Sequence, residues 1–325
     1  MTAYILRRLL YASPNLRGVN LLTCEQFFVV NSPEDMARAH LGQKRVSAEA
    51  IQAWKEEHGY DRPLLINRNA AGVAAFTDTI LYQKSLKLFR FDFGQSDSGR
   101  DIGYDIGQRM WPSLAIAVPT LLVGLAVNIT FALTLAFFRG TYLDFWGVVM
   151  AVVMLSISTL FYIIGGQFLV GKLLSLVPIS GYDTGWQAIK FLVLPVIVGV
   201  VGSIGSSTRL YRTLFLEEIN RDYVRSARAK GLSEQWVLFR HVLQNALIPI
   251  LTGVVTVLPL LFLGSLLIES FFGIPGLGSY TIDALQRQDF AIVRAMVFLG
   301  AVLYIVGLTL TDISYTLVDP RVRLN

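Results

Sequence analysis

Apolar residues fall along this chain in long blocks with short polar breaks. Ser113–Phe138 is apolar apart from Asn128 and a few hydroxyls, and ends at Arg139. Trp146–Gly171 carries Gln167 as its notable polar residue, and Phe191–Thr208 ends at Arg209 and Arg212. Ile248–Phe272 follows, and Ala295–Ser314 is broken only by Asp312 near its end. A helix rising about 1.5 Å per residue needs about 20 apolar residues to cross a bilayer core, so each block predicts a membrane-crossing helix. Residues 5–30 are also long enough to cross. They contain Pro14, Asn15, Arg17, Asn20, Glu25 and Gln26, and an Arg near a span's centre costs about 2.5–3.5 kcal/mol on the insertion scale. A first span packed against protein rather than lipid is expected there. A cleaved signal peptide is disfavoured, because the apolar core is broken and no A-x-A-like site follows. The pattern predicts an all-α integral membrane protein, a six-span bundle.

The polar stretches divide the chain further. Residues 31–108 are mixed in charge, with Lys and Arg roughly balancing Asp and Glu, and read as a soluble extracytoplasmic excursion. Ser47 suits the N-cap of a helix reaching His58. The longest polar passage of the C-terminal half is Glu217–Pro249, which reads as two short helices hinged at Gly231. Arg221, Arg225 and Arg228 recur at i, i+4 and i+7, on one helical face. Gly231 suits a left-handed C′ position, and Ser233 suits an N-cap with Glu234 at the positive end of the next helix dipole. Trp236, Phe239, Val242 and Leu243 follow on that helix. Small residues crowd the hinge (Ser226, Ala227, Ala229, Gly231), and small side chains let a backbone approach a partner closely. The hairpin therefore reads as a docking element, where a plain basic loop would account only for the arginines.

Composition agrees with a membrane class. The chain is 54% hydrophobic and 16% charged, against about 25% charged in soluble domains, and its mean hydropathy is +0.54. Charge gives the orientation. Arg7, Arg8, Arg139, the basic residues between Arg209 and Arg240, Arg321 and Arg323 fall on one side of a six-span arrangement. The short opposite loops hold only Lys172, Lys190, Arg287 and Arg294, so the first side is cytoplasmic. Both termini and the hairpin are expected inside, in a multi-pass membrane protein in contact with lipid. With its basic residues spent on that bias, nucleic-acid binding is excluded. A single cysteine, Cys24, excludes an intrachain disulfide, and His40, His58 and His241 lack ligand spacing. No metal or cofactor is expected.

Several of these segments resemble one family. Arg225-Ser226-Ala227-x3-Gly231, followed by Ile248-Pro249, is similar to the EAA loop of ABC importer permeases. Arg225 and Ser226 stand at the first two positions of Glu-Ala-Ala. The fuller run from Tyr223 to Leu232 resembles the peptide and nickel branch of that family. Tyr60-Asp61-Arg62-Pro63 and Asp92-Phe93-Gly94-Gln95-Ser96 resemble short signatures of the same branch. So does the loop Ile268-Glu269-x2-Phe272-Gly273-x-Pro275-Gly276-x-Gly278. The ending from Asp312 to Arg321 resembles that of oligopeptide and microcin C-type permeases. The resemblance implies a permease domain over 109–316, a cytoplasmic tail over 317–325, and a permease subunit of an ATP-driven importer for peptides or peptide-like solutes. It implies as partners a second, related permease, two cytoplasmic ATPase subunits and an extracytoplasmic solute-binding protein. Arg225, Ser226, Ala227, Ala229, Lys230, Gly231, Leu232 and Ser233 would form the ATPase-coupling loop. Glu269, Gly273, Pro275, Gly276 and Gly278 would form a structural gate loop at the extracytoplasmic end of the pathway.

Other chemistry is thin. Gly166 to Lys172 has Walker A spacing but continues with Leu173 rather than Ser or Thr, inside an apolar block, whereas a phosphate loop needs a strand before it and free N–H groups at a helix start. ATP hydrolysis is therefore expected of a partner, and no covalent step of this chain. Glu269 and Asp312 are the carboxylates expected within or at the edge of the spans after residue 113. An intramembrane acid is a functional candidate by default, but two acids near span ends make a poor proton relay, and capping or hydrogen bonding beside the glycine-rich loop is the expected role of Glu269. An autonomous secondary carrier or channel is the alternative class, and a membrane scaffold a third. Peptide is favoured over nickel, because no His, Cys or carboxylate cluster suits a metal.

Overall fold

The computed structural model describes residues 14–22, 28, 32–42, 46–64, 66, 67 and 72–318. Arg7, Arg8, Cys24 and the tail from Asp319 lie outside the described residues. So does most of the expected first span, of which 14–22 are helical. The described residues fall into two units, one drawn from 1–109 and 280–309, the other from 110–279 and 310–325.

The first unit begins with α1 (Pro33–Leu41) and α2 (Ala48–His58). Both start on a serine: Ser32 Oγ accepts from Asp35 N, and Ser47 Oγ accepts from Ala50 N at 3.2 Å. Gly59 closes α2 in the left-handed conformation. The two helices bury Met36, Ala37, Ile51 and Trp54 around Tyr60 and Ile80. The indole of Trp54 stacks on His58 at 4.2 Å. Asp289 Oδ2 accepts from Asp97 N at 2.9 Å, fastening the loop before α3 within this unit.

The longer helices that follow are α3 (Ile102–Phe137), α4 (Tyr142–Ser156), α5 (Thr159–Gly166, continued by a wider turn over Gln167–Leu173), α6 (Ala188–Ile219) and α7 (Asp222–Ala229). They are followed by α8 (Glu234–Leu263), α9 (Leu266–Phe272), α10 (Leu277–Arg287) and α11 (Phe290–Val318). Four stretches, Ile102–Phe137, Gly185–Ile219, Glu234–Leu263 and Phe290–Ser314, are long and apolar enough to cross a membrane, and the α4–α5 pair makes a fifth if it is one span. The chain is thus all-helical with 4 to 5 candidate spans among the described residues.

Three expectations change in detail. The block expected as one helix over Trp146–Gly171 is two helices bent by 92°. Ile157 is extended there, Ser158 caps α5 by accepting from Leu160 N, and the Tyr162 hydroxyl donates to Met154 O at 2.7 Å. A serine hydroxyl and a tyrosine therefore serve two of the backbone groups that the break frees. The block expected over Ile248–Phe272 also divides. Gly264, at φ 68°, ends α8, and α9 is a separate short helix. On its other side α8 starts at Glu234 instead of Ile248, so the second hairpin helix runs into the span through a wider turn over Leu238–Leu243 with no loop between them. Finally, α4 begins early enough to include Asp144, a buried carboxylate just outside the apolar block that hydropathy marks. Arg212 of α6 holds both its oxygens at 2.8 Å, and Gly140 N donates at 3.1 Å.

Glycine brings α4 and α6 together. A Cβ at Gly205 would stand 2.6 Å from Leu155 N and 2.7 Å from Ala151 O, so the two backbones approach more closely than any side chain allows.

Candidate functional site

The hairpin is built by its buried side. Val224 and Ala227 of α7, and Val237, Leu238 and Val242 of α8, pack with Phe215 and Ile219 of α6 and with Ala132, Leu133 and Ala136 of α3. Burial of this stripe fixes α7 against the spans at about 25 cal/mol per Å² of apolar surface. The turn is closed locally. Gly231 is left-handed at φ 79°, its N–H reaches Arg228 O at 2.9 Å, and Leu232 N reaches Ala227 O. Ser233 caps α8 by accepting from Trp236 N. Arg228 bridges the turn, its guanidinium donating to both oxygens of Glu234 at 3.0 and 2.5 Å. At the other end Tyr223 donates to Glu218. Burial, with the adjacent Glu218 carboxylate, pushes the Tyr223 phenol up to about 12, so it stays a donor at neutral pH.

The outward side carries most of the residues expected to dock. Arg225, Ser226, Ala229, Lys230, Gly231, Leu232 and Ser233 are exposed. Ala227 is not: at 6% exposure it belongs to the chain's own core, so its small size serves the packing of α7 onto the spans. The expectation that its side chain lies close to a partner is corrected. Arg221 and Arg225 are exposed, as the stripe predicts, with Glu218 and Asp222 near them at 4.0 and 3.4 Å. Trp236 and Phe239, two aromatic side chains on the first turns of α8, stand 57% and 63% exposed.

The second candidate region forms around Glu269, which is buried completely. Its Oε1 accepts from Ser265 N at 3.2 Å and its Oε2 from Ser279 N at 3.1 Å. Gly278 N and the Ser113 hydroxyl also hydrogen-bond to the carboxylate. Ser113 Oγ in turn accepts from Leu277 N at 2.8 Å. One carboxylate thereby ties the start of α9, the start of α10 and the α3 helix. The glycines explain the space. A Cβ at Gly264 or at Gly276 would overlap a Glu269 oxygen, and one at Gly278 would stand 2.6 Å from the Ser265 carbonyl carbon. Gly273 ends α9 at φ 65°. Pro275 is exposed.

A carboxylate so saturated with donors acts as a clasp, not as a relay. Its partners Ser113 and Ser279 escaped the sequence reading. Ser113 is more than 150 residues from Glu269, and no local pattern joins them. Ser265 was legible in principle, as a serine just ahead of a helix with an acid in its first turn. The segment Gly166–Lys172 lies in continuous helix, without the free N–H groups a phosphate loop presents.

A family model described as "Binding-protein-dependent transport system inner membrane component" matches residues 128–324. The chain is 31% identical over 332 residues to a putative peptide transport system permease protein of Brucella abortus (strain 2308), covering 99% of each. It is 27% identical over 341 residues to an oligopeptide transport system permease protein of Bacillus subtilis (strain 168), covering 99% of this chain and 100% of that one. It is 28% identical over 330 residues to a glutathione transport system permease protein of Salmonella typhimurium, covering 99% of each.

Proposed function

Because this chain belongs to the family of inner-membrane components of binding-protein-dependent transport systems, we propose that it is one permease of an ATP-driven importer for peptides or peptide-like solutes. A second permease would complete the pathway, two ATPase subunits would dock on the hairpin from the cytoplasm, and a solute-binding protein would deliver cargo from the other side. Six spans with both termini inside agree with the distribution of basic residues. The chain performs no covalent step in this scheme.

The observation that carries the reading is the continuous helical stretch from Glu234 to Leu263, which passes a wider turn over Leu238–Leu243 and a tighter one over Pro259–Leu263 without an intervening loop. A load applied at the exposed turn around Gly231 passes into a span along one helical path, with no loop between them. Core packing holds α7 to the same stretch, and the Arg228–Glu234 bridge sets the angle of the turn. Closing of the ATPases would then move hairpin and span as a rigid body, and switching by rigid-body rotation needs such an element. Peptide as cargo is supported by the names of the relatives, which are peptide and oligopeptide transport permeases. The direct test is reconstitution. Uptake of a peptide by the purified complex should require ATP and the ATPase subunits; uptake by this chain alone, driven by an ion gradient, would replace the reading with that of a secondary carrier.

Two further results are expected. A Cβ at Gly231 meets nothing within 4 Å, so a substitution there is opposed by φ 79° rather than by bulk within this chain. A left-handed non-glycine residue costs about 1–2 kcal/mol, more when β-branched. Gly231→Val should lower recovery of the ATPase in pull-down at unchanged membrane abundance, with Gly231→Asn milder; full recovery and full uptake with valine would remove the cap from the docking scheme. For topology, cysteines placed at positions 2 and 70 of a Cys24→Ser variant should label from the cytoplasmic and the outer face respectively. Labelling of position 2 from outside would reduce the chain to five spans.

A further inference from the structure

Between α3, α6 and α8 lies a cavity of about 320 Å³, at the small end of the range for ligand pockets. It follows α3 from Ser113 to Asn128, about 22 Å at about 1.5 Å per residue. One end is the clasp, where Ser113, Gly264 and Ser265 line it. The other end is Tyr211, which packs against the hairpin core. No charged residue lines it; its polar groups are hydroxyls and the Asn128 carboxamide.

Two of those groups are unfinished. Ser203 Oγ donates to Val200 O at 2.7 Å, so it faces Asn128 as an acceptor, and the atom 3.0 Å away must be the Asn128 amide nitrogen. That fixes the orientation of the carboxamide and leaves Oδ1 turned away. Asn128 is 3% exposed, and neither its Oδ1 nor Thr120 Oγ1 has a hydrogen-bond partner. An asparagine in a membrane helix commonly serves as glue between helices. The bond to Ser203 satisfies that role with one end of the side chain and gives no reason for the other. A buried polar atom without a partner costs about 1–3 kcal/mol, and such exceptions call for an explanation in function.

Resting on the importer reading above, we infer that this cavity is the chain's share of the translocation pathway and that Asn128 Oδ1 and Thr120 Oγ1 are acceptors for solute amide N–H groups. Both oxygens are sealed in this conformation, so a solute meets them when α3 and α6 part from α8. A neutral, hydroxyl-rich wall suits a peptide backbone, whose N–H groups recur whatever the side chains are. Joining the clasp to the hairpin core also places the cavity where motion of α8 changes its width.

The test uses the full complex with its binding protein in proteoliposomes, with tri-alanine as the solute. Asn128→Leu should reduce uptake about fivefold, the worth of one hydrogen bond near 1 kcal/mol, while binding-protein-stimulated ATP hydrolysis persists, so that solute moved per ATP falls. If uptake and hydrolysis fall together, Asn128 only ties α3 to α6 and the inference fails. An unchanged uptake also overturns it. A second arm does not depend on tolerance of leucine. Thr120→Cys in a Cys24→Ser background should react with a water-soluble methanethiosulfonate during ATP turnover and not at rest. Absence of reaction in both states would show that water and solute never reach this wall. If the parent complex carries no tri-alanine yet Thr120→Cys reacts during turnover, the peptide reading of the importer and the amide-acceptor role fall, and the cavity stands as a pathway for another solute.

Discussion

Gly276→Val is expected to abolish transport, and to do so by unfolding the loop rather than by blocking a channel. A Cβ at this position overlaps one oxygen of Glu269 and stands 2.5 Å from the Ser113 hydroxyl. Neither neighbour has room to yield. Glu269 is buried completely, its carboxylate held by backbone N–H groups of Ser265, Gly278 and Ser279, and Ser113 is held by Leu277 N. Displacing the carboxylate breaks its bonds together and leaves an acid buried without partners, which costs about 3–5 kcal/mol. That is a large share of the stability of an ordinary domain. Membranes containing the variant should show less full-length protein after mild proteolysis, and no uptake. Gly273→Asn in the same loop is the contrast. A Cβ there meets its nearest neighbour at 3.5 Å, and asparagine tolerates φ 65° better than other non-glycine residues. It should retain most of the activity. Equal damage from the two substitutions would mean that the loop is sensitive for another reason and that Glu269 is no clasp.

On the hairpin, the aromatic pair should separate from the buried alanine. Trp236→Ala and Phe239→Ala remove exposed side chains that the chain itself does not enclose, so membrane abundance should be unchanged. If they anchor the ATPase, truncating each costs about 2 kcal/mol or more of association, the size typical of aromatic anchors. Recovery of the ATPase in pull-down should then fall more than about tenfold. Ala227→Leu should behave in the opposite way. Its added atoms enter a core with Phe215, Ile219 and Val237, where overpacking costs about 1–3 kcal/mol; the loss should appear in the amount of folded protein. Arg221→Gln should be mildest, since an exposed ion pair is worth about 0–1 kcal/mol and its guanidinium stands 4.0 Å from Glu218. Silent aromatic substitutions, with Ala227→Leu losing the ATPase at normal abundance, would place the partner on the side of α7 that packs inward here.

The sequence by itself determined the helical class, the candidate spans after residue 100, and the turn of the hairpin. These rest on local rules. Hydropathy over about 20 residues reports a crossing, a glycine before Ser233 and Glu234 reports a cap and a new helix, and an arginine every third or fourth residue reports an exposed face. The family was legible for the same reason, since its motifs are short and contiguous. Tertiary structure alone decided what apolar runs conceal. Hydropathy reads Trp146–Gly171 as uniform, yet hydroxyls at Ser158 and Tyr162 let the helix turn through 92°. Asp144 stands two residues ahead of the apolar block that begins at Trp146, and only the structure shows Arg212, 68 residues away, holding it. Ala227 looked like a contact for a partner because small residues suit close approach, and the sequence does not say from which side the approach comes; α3 and α6 made it. Glu269 needed Ser113 and Ser279, and the cavity beside it needed three helices at once. Hydrogen bonds and voids between distant segments depend on how helices are placed, and periodicity along one segment carries no information about that placement.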